Sequence, residues 1–223
     1  MLTPFWLSVR TAGLATLAAV LLGVPIAAWL ARSRNPLSGI LDAVVTLPLV
    51  LPPTVLGYFL LVVLGARSPL GEFLERIGLP LVFTWKGAVI AATLVALPLV
   101  VQSSKAALQN VDPNLIDVAR TLGRSDREVF LTVTLPLAWR GVLAGATLAL
   151  ARSLGEFGAT LMVAGNIPGQ TQTLPIAIYD AVQKGDQRLA NWMALGLAAM
   201  ALILLLSIRR LGHGLAGVHR SDT

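Results

Sequence analysis

The sequence predicts an all-α, polytopic membrane protein of about five transmembrane helices, and three observations predict it. Of 223 residues, 56% are hydrophobic and only 13% charged, with a mean hydropathy of +0.77; soluble domains carry about twice that share of charge. The apolar residues gather in runs close to the roughly 20 residues that a helix rising about 1.5 Å per residue needs to cross a hydrocarbon core about 30 Å thick. One charged segment, Asp112 to Pro136, is wedged between two of these runs and patterned as a helix, a turn and a second helix.

The first run, Thr11 to Ala31, has no basic region ahead of it and is followed by further runs, so it reads as a retained span rather than a signal peptide. The second, Ile40 to Ala66, is interrupted by Pro48, Pro52, Pro53 and Gly57, and the third, Gly87 to Leu108, by Pro98. Proline removes an amide donor and leaves carbonyls unpaired, which only protein or water-lined surroundings satisfy at membrane depth. Such breaks either border a transport site or simply splay the helices. Between these runs, Pro69 to Ile77 places Leu70, Phe73, Leu74 and Ile77 opposite Glu72 and Glu75, the pattern of a helix lying flat at the interface.

Within Asp112 to Pro136, Asp112 caps a helix that Pro113 opens. Leu115, Val118, Ala119 and Leu122 recur at i, i+3, i+4 and i+7 as one apolar stripe. Gly123 ends that helix, and Ser125 with Glu128 forms a capping box that starts another. Val129, Phe130 and Val133 give the second helix an apolar side, Leu135 and Pro136 end it, and Arg120, Arg124 and Arg127 crowd the junction. Periodicity alone fits either of two roles, docking onto another protein or lying on the bilayer surface with the arginines toward headgroups.

The fourth run, Leu137 to Gly165, contains Arg152 and Glu156, spaced i, i+4 so that one helical face would let them neutralise each other. The pair either borders a path or gate or fixes helix packing. Ser153, Gly155 and Gly158 make this stretch small, as a close helix contact requires. A more polar stretch, Asn166 to Gln187, has a turn at Pro168 and Gly169 and a helix from Pro175 to Gln183. Leu189 to Ile208 is the fifth run.

Arg10, Arg67, Arg76, Lys86, Lys184 and Arg188 fall on one side of this topology and the other 11 of the 17 basic residues on the opposite side, Arg152 only loosely among them. The richer side is expected to be cytoplasmic, with the N-terminus outside and both the charged segment and the C-terminus inside. Trp85 and Trp192 then mark outer ends, Trp29 and Trp139 inner ones. A net charge of +6 borne at membrane edges calls for lipid, not nucleic acid. The chain has no cysteine and no G-x-x-x-x-G-K-[ST] loop, so ATP would have to be hydrolysed by a partner. No catalytic constellation, metal site or cofactor site emerges; His213 and His219 read as tail residues.

Asp117, Val118, Ala119, three residues, Gly123, nine residues, then Val133, Thr134, Leu135 and Pro136 resembles the cytoplasmic signature of ATP-binding-cassette importer permeases, Glu-Ala-Ala-x3-Gly-x9-Ile-x-Leu-Pro. The spacing is kept, while Asp stands for Glu, Val for the first Ala and Val for Ile. Leu47 to Tyr58 (LPLVLPPTVLGY), Ala151 to Thr160 (ARSLGEFGAT) and Asn166 to Thr173 (NIPGQTQT) are similar to the molybdate permeases of that family, with sulfate and tungstate permeases as near relatives. The resemblance covers nearly the whole chain.

It implies a type I importer permease fold in one transmembrane domain over 1–223, in a cell inner membrane. It implies that the charged segment, with Asp117, Ala119, Arg120, Gly123, Arg124, Arg127, Leu135 and Pro136 as coupling residues, docks into a cytosolic ATPase subunit. It further implies a homodimer of permeases, an extracytoplasmic molybdate-binding protein and alternating access. Arg152 and Glu156 remain candidates for path or gate. The alternative class is a stand-alone channel or ion-coupled transporter, for which the same pair would be the relay.

Overall fold

The computed structural model describes residues 2–33 and 35–217, with side chains over 3–33 and 35–207. Among these residues the elements are helical: α1 (Leu2–Arg32), α2 (Leu37–Thr46), α3 (Pro53–Leu64), α4 (Pro69–Arg76), α5 (Trp85–Gln109), α6 (Pro113–Thr121), α7 (Asp126–Val129), α8 (Leu135–Leu154), α9 (Gly158–Ala164), α10 (Leu174–Gln183) and α11 (Gln187–Gly217). Four continuous helical stretches are long and apolar enough to cross a membrane, within α1, α5, α7–α8 and α11. The second run is a bent pair, α2 with α3, whose axes differ by 113°.

α5 is the centre of the bundle. Val95, Ala96, Val100, Val101 and Ser104 on it are almost completely enclosed. Lipid tails are as apolar as these side chains, so burial alone does not hold α5 in place; close packing does. Along α1, Ala15 O lies 3.5 Å from Thr93 Oγ1, Gly23 abuts Val100 and Val101, and Ala27 and Leu30 share a core with Val101 and Leu108. α1 and α5 are therefore parallel. On α8, Gly141 meets Ala107, Gly145 meets Ser103 and Val100, and Ala149 packs with Ala96, which is the antiparallel register. Glycines at i, i+4 leave a groove that admits the α5 backbone, where a β-carbon at Gly145 would sit 3.0 Å from Ser103 Cβ. The two glycines form a G-x-x-x-G pattern in the sequence.

Because α1 and α5 run the same way, the chain between them must recross. The bent α2–α3 pair makes that crossing, in two pieces. After a short 3₁₀ turn at Leu47–Leu49, the break falls at Val50 to Pro52, among the prolines expected to interrupt this run. Pro98, by contrast, is accommodated inside a continuous α5.

Two expectations are corrected. Leu135 and Pro136 do not end the second helix of the charged segment: the chain passes from α7 through a π-helical turn, Phe130–Thr134, straight into α8. A wider turn moves a carbonyl out of the way of the proline ring, so Pro136 sits in the first turn of α8 without breaking the run. The crossing thus begins at Asp126 rather than Leu137 and ends at Leu154. The fourth run is also not continuous to Gly165; it breaks at Gly155 to Phe157 before α9.

α4 forms as an amphipathic helix, capped by Ser68 Oγ accepting from Gly71 N at 2.9 Å, with Leu70, Phe73 and Ile77 exposed. The start of α1 reaches further than expected, to Leu2, because Ser8 Oγ accepts the buried N–H of Leu174 at 2.7 Å and joins α1 to α10. Trp85 and Trp192 lie near the starts of α5 and α11, and Trp29 and Trp139 near the end of α1 and the start of α8. The four indoles thus divide between the two ends of the bundle as expected. His213 and His219 lie outside the residues whose side chains are described.

Candidate functional site

The charged segment forms an elbow with both helix ends tied. Asp112 Oδ1 accepts from Asn114 N at 2.9 Å. At the far end of α6, Gly123 adopts φ +83°, its N–H donates to Arg120 O at 2.9 Å and Arg124 N–H donates to Ala119 O at 3.3 Å. Those two bonds are a Schellman cap, which needs the left-handed conformation glycine takes without strain. Ser125 and Glu128 complete the reciprocal capping box: Ser125 N donates to Glu128 Oε2 at 2.8 Å and Glu128 N to Ser125 Oγ at 3.4 Å.

Arg120 locks the elbow. Its Nε and Nη2 each lie 2.9 Å from Asp126 Oδ1, and Nη1 lies 3.4 Å from Asp117 Oδ1. The Asp126 carboxylate, aided by Asp117, raises the guanidinium still further above its ordinary pKa. Arg124 Nη1 donates to Thr132 Oγ1 at 2.9 Å, tying the residue after Gly123 to the turn that follows α7. Arg127 points elsewhere, into a cavity shared with the last turn of α1. The three arginines expected to crowd one junction therefore have three separate environments.

The apolar stripe of α6 is not used inside the protomer. Ala119 is buried, but Leu115 is 47%, Val118 57% and Leu122 76% exposed. Val129 at the end of α7 is enclosed, Leu135 is half-buried and Pro136 is exposed. The segment is thus held rigidly from below while its outward face is greasy and unpartnered within the chain.

Arg152 and Glu156 do meet: Arg152 Nη2 is 2.7 Å from Glu156 Oε2. They are not on one helix, however. Glu156 lies in the break after α8, its side chain 1% exposed against 32% for Arg152, and its Oε1 accepts from Ala159 N at 2.8 Å, which ties the first turn of α9. Gly158 stands against Pro53 and Thr54 at 3.1–3.2 Å from a β-carbon position, so the breaks that precede α3 and α9 lie side by side. α3 and α9 then run together, with a β-carbon at Gly57 reaching 2.7 Å from Met162 Cβ. Gly155, also expected in this close contact, is exposed instead and has nothing nearer than 3.9 Å. The register, with Leu154 near Ala12 and Val163 at Gly87, sets the pair in the half of the bundle away from α6. Arg152 therefore does not belong with the basic residues of the α6 end, as the charge count had it.

A second polar cluster escaped sequence reading. Lys105 Nζ lies 2.7 Å from Asp42 Oδ2, and Gln102 Nε2 donates to Asp42 Oδ1 and Thr46 Oγ1, each at 2.8 Å. An aspartate inside an apolar run, and a glutamine and lysine spaced i, i+3, are the signal the sequence offers for it. At the opposite end, the polar stretch folds as expected, with a turn at Gly169 (φ +79°) and α10 beyond it. Lys184 chiefly, with Asn166, holds the Asp180 carboxyl below its ordinary pKa.

A bundle of broken and continuous crossings, with a capped elbow at one end, defines a membrane transport subunit. Residues 20–216 match the family described as "Binding-protein-dependent transport system inner membrane component", and the chain belongs to that family. It is 44% identical over 204 residues to the molybdenum transport system permease protein ModB of Escherichia coli (strain K12), covering 90% of this chain and 89% of that one. Similarity to the ModB protein of Azotobacter vinelandii is 41% over 214 residues, 94% and 95% of the two chains. The fold matches a chain of the inward-facing MetNI methionine ABC transporter with a TM-score of 0.76 at 17% identity, over 96% of this chain and 95% of that one. The protein is accordingly a multi-pass inner-membrane transport subunit, not an enzyme, of the type I importer fold, and an ATPase and a substrate-binding protein are its partners by family. A stand-alone channel or ion-coupled carrier is not favoured.

Proposed function

We propose that this chain is the permease of a molybdate importer, working as a homodimer by alternating access, with one transmembrane unit over 1–223. The substrate reading rests on the names of the relatives, and a tetrahedral dianion of the same size, tungstate, is expected to share the route. The homodimer follows from closed symmetry being the norm and from five crossings leaving little room for a sealed path within one copy.

The observation that carries the coupling role is the exposed stripe of Leu115, Val118 and Leu122 on an elbow capped at both ends and cross-tied by Arg120. An apolar helix face of this kind seats in a groove on a partner. α7 continues through the π turn into α8, so a push on α6 reaches a membrane crossing without passing through a flexible loop. In this reading Asp117, Ala119, Arg120, Gly123, Arg124, Leu135 and Pro136 shape the lever that meets the ATPase in the cytoplasm, and the N-terminus lies outside. The Arg152–Glu156 pair, beside two adjoining helix breaks, is the candidate gate.

The test is uptake by vesicles carrying the reconstituted permease, ATPase and binding protein, with labelled molybdate and unlabelled tungstate or sulfate in competition. ATP-dependent molybdate uptake, suppressed by tungstate and not by sulfate, is the expected result. Uptake by the permease alone, without the ATPase, would remove the coupling role.

A further inference from the structure

We infer that a cavity between the last turn of α1 and α7 binds the headgroup of an anionic phospholipid, held by Arg32 and Arg127. The cavity measures about 480 Å³ and is walled by Trp29 and Arg32 from α1, Arg127 from α7 and Phe130 beyond it. Arg32 is fixed in place: its guanidinium stands 5.1 Å from the Phe130 ring centre and its Nη2 3.5 Å from Thr134 Oγ1. Among the described residues, neither Arg32 nor Arg127 has a carboxylate within 4.0 Å. The acid on the wall, Asp126, is engaged by Arg120 at 2.9 Å. Two arginines therefore line one open space with one already-paired acid, residues suited to a phosphodiester, whose oxygens accept from the planar guanidinium fork.

The setting selects lipid over a soluble anion. Leu22, Pro25 and Trp29 follow one another at i, i+3 and i+7 along α1, all exposed, and lead into the cavity. That face is where acyl chains would lie, with the Trp29 indole at headgroup depth, the level at which tryptophan settles. A headgroup here would bridge α1 to the base of the α7–α8 run. The inference needs only that these helices sit in a bilayer, and it stands whether or not α6 docks on an ATPase.

The experiment uses the full-length chain in detergent micelles with phosphatidylglycerol carrying brominated acyl chains, which quench nearby tryptophan. Phosphatidylcholine brominated in the same way is the comparison, and Trp29→Phe assigns the signal to Trp29. Saturable quenching by phosphatidylglycerol at low mole fraction is expected, with apparent affinity about thirty-fold weaker in Arg32→Gln/Arg127→Gln, at roughly one basic residue's contribution for each change. Arg32→Lys/Arg127→Lys keeps both charges but not the fork, so it is expected to bind the lipid more weakly than the native pair and more tightly than the glutamine variant; if the glutamine variant does not fold, unchanged affinity in the lysine variant would overturn the site. Equal quenching by the two lipids, or equal affinity in the glutamine variant, would overturn the site. Displacement of the lipid by inorganic phosphate at millimolar concentration would overturn it in favour of a soluble anion, and displacement by the ATPase subunit in favour of a protein contact.

Discussion

Arg152 Nη2 lies 2.7 Å from Glu156 Oε2 although the helix that carries Arg152 has already ended at Leu154. The carboxylate is divided between two tasks, compensating the guanidinium with one oxygen and tying Ala159 N with the other. A buried charge that loses its partner is costly, about 3–5 kcal/mol when both groups are enclosed. Arg152 retains access to the surroundings, so the cost here falls toward the lower end.

Glu156→Gln is expected to keep the tie to Ala159 while stranding Arg152. If the pair gates, basal ATPase activity of the assembled complex rises and uptake falls, with folded yield preserved. Arg152→Gln/Glu156→Gln, with no charge left to strand, separates gating from packing: recovery of yield without recovery of uptake supports the gate. A loss confined to yield in the single variant assigns the pair to packing.

Gly123→Val places a β-branched residue at φ +83°, which costs about 1–2 kcal/mol for an L-residue in the left-handed region and opens the Schellman cap. A β-carbon at Gly123 has nothing within 4 Å, so the effect is conformational rather than steric. ATP hydrolysis by the complex is expected to continue while uptake falls. Unchanged uptake would remove Gly123 from the lever.

Arg120→Glu is expected to weaken co-purification with the ATPase and to splay the elbow, since it sets a third acid beside Asp117 and Asp126. The exchange Arg120→Asp/Asp126→Arg restores an ion pair across the turn. If the complex returns with the exchange, Arg120 works by holding the elbow; if it does not, the side chain itself is recognised by the partner.

Gly145→Val sets a side chain against Ser103 Cβ and the Val100 backbone, and overpacking of this kind typically costs about 1–3 kcal/mol. Lower thermal stability of the purified chain in detergent is expected. Gly196→Val, on α11 with nothing within 4 Å, is the control that should leave the midpoint unchanged.

The sequence by itself determined the crossings, the amphipathic helix α4, the caps of α6 and α7 and the family, because each rests on local physics: apolar length against bilayer thickness, amphipathic period, and side chains that reach a backbone group a few residues away. Asp112, Gly123 and the Ser125–Glu128 box could be read for that reason. Tertiary structure decided the rest. The run through Pro136 depends on a π turn whose extra residue leaves no sequence signature of its own, and the break at Gly155 to Phe157 on a carboxylate that finds Ala159 N. The exposure of Leu115, Val118 and Leu122 depends on which elements come near α6, and an apolar stripe reads the same whether it faces a core or a partner. Asp42 and Lys105, 63 residues apart, are joined only because α2 folds back against α5. Contacts between distant segments are set by how whole helices pack, and no window of neighbouring residues contains that information.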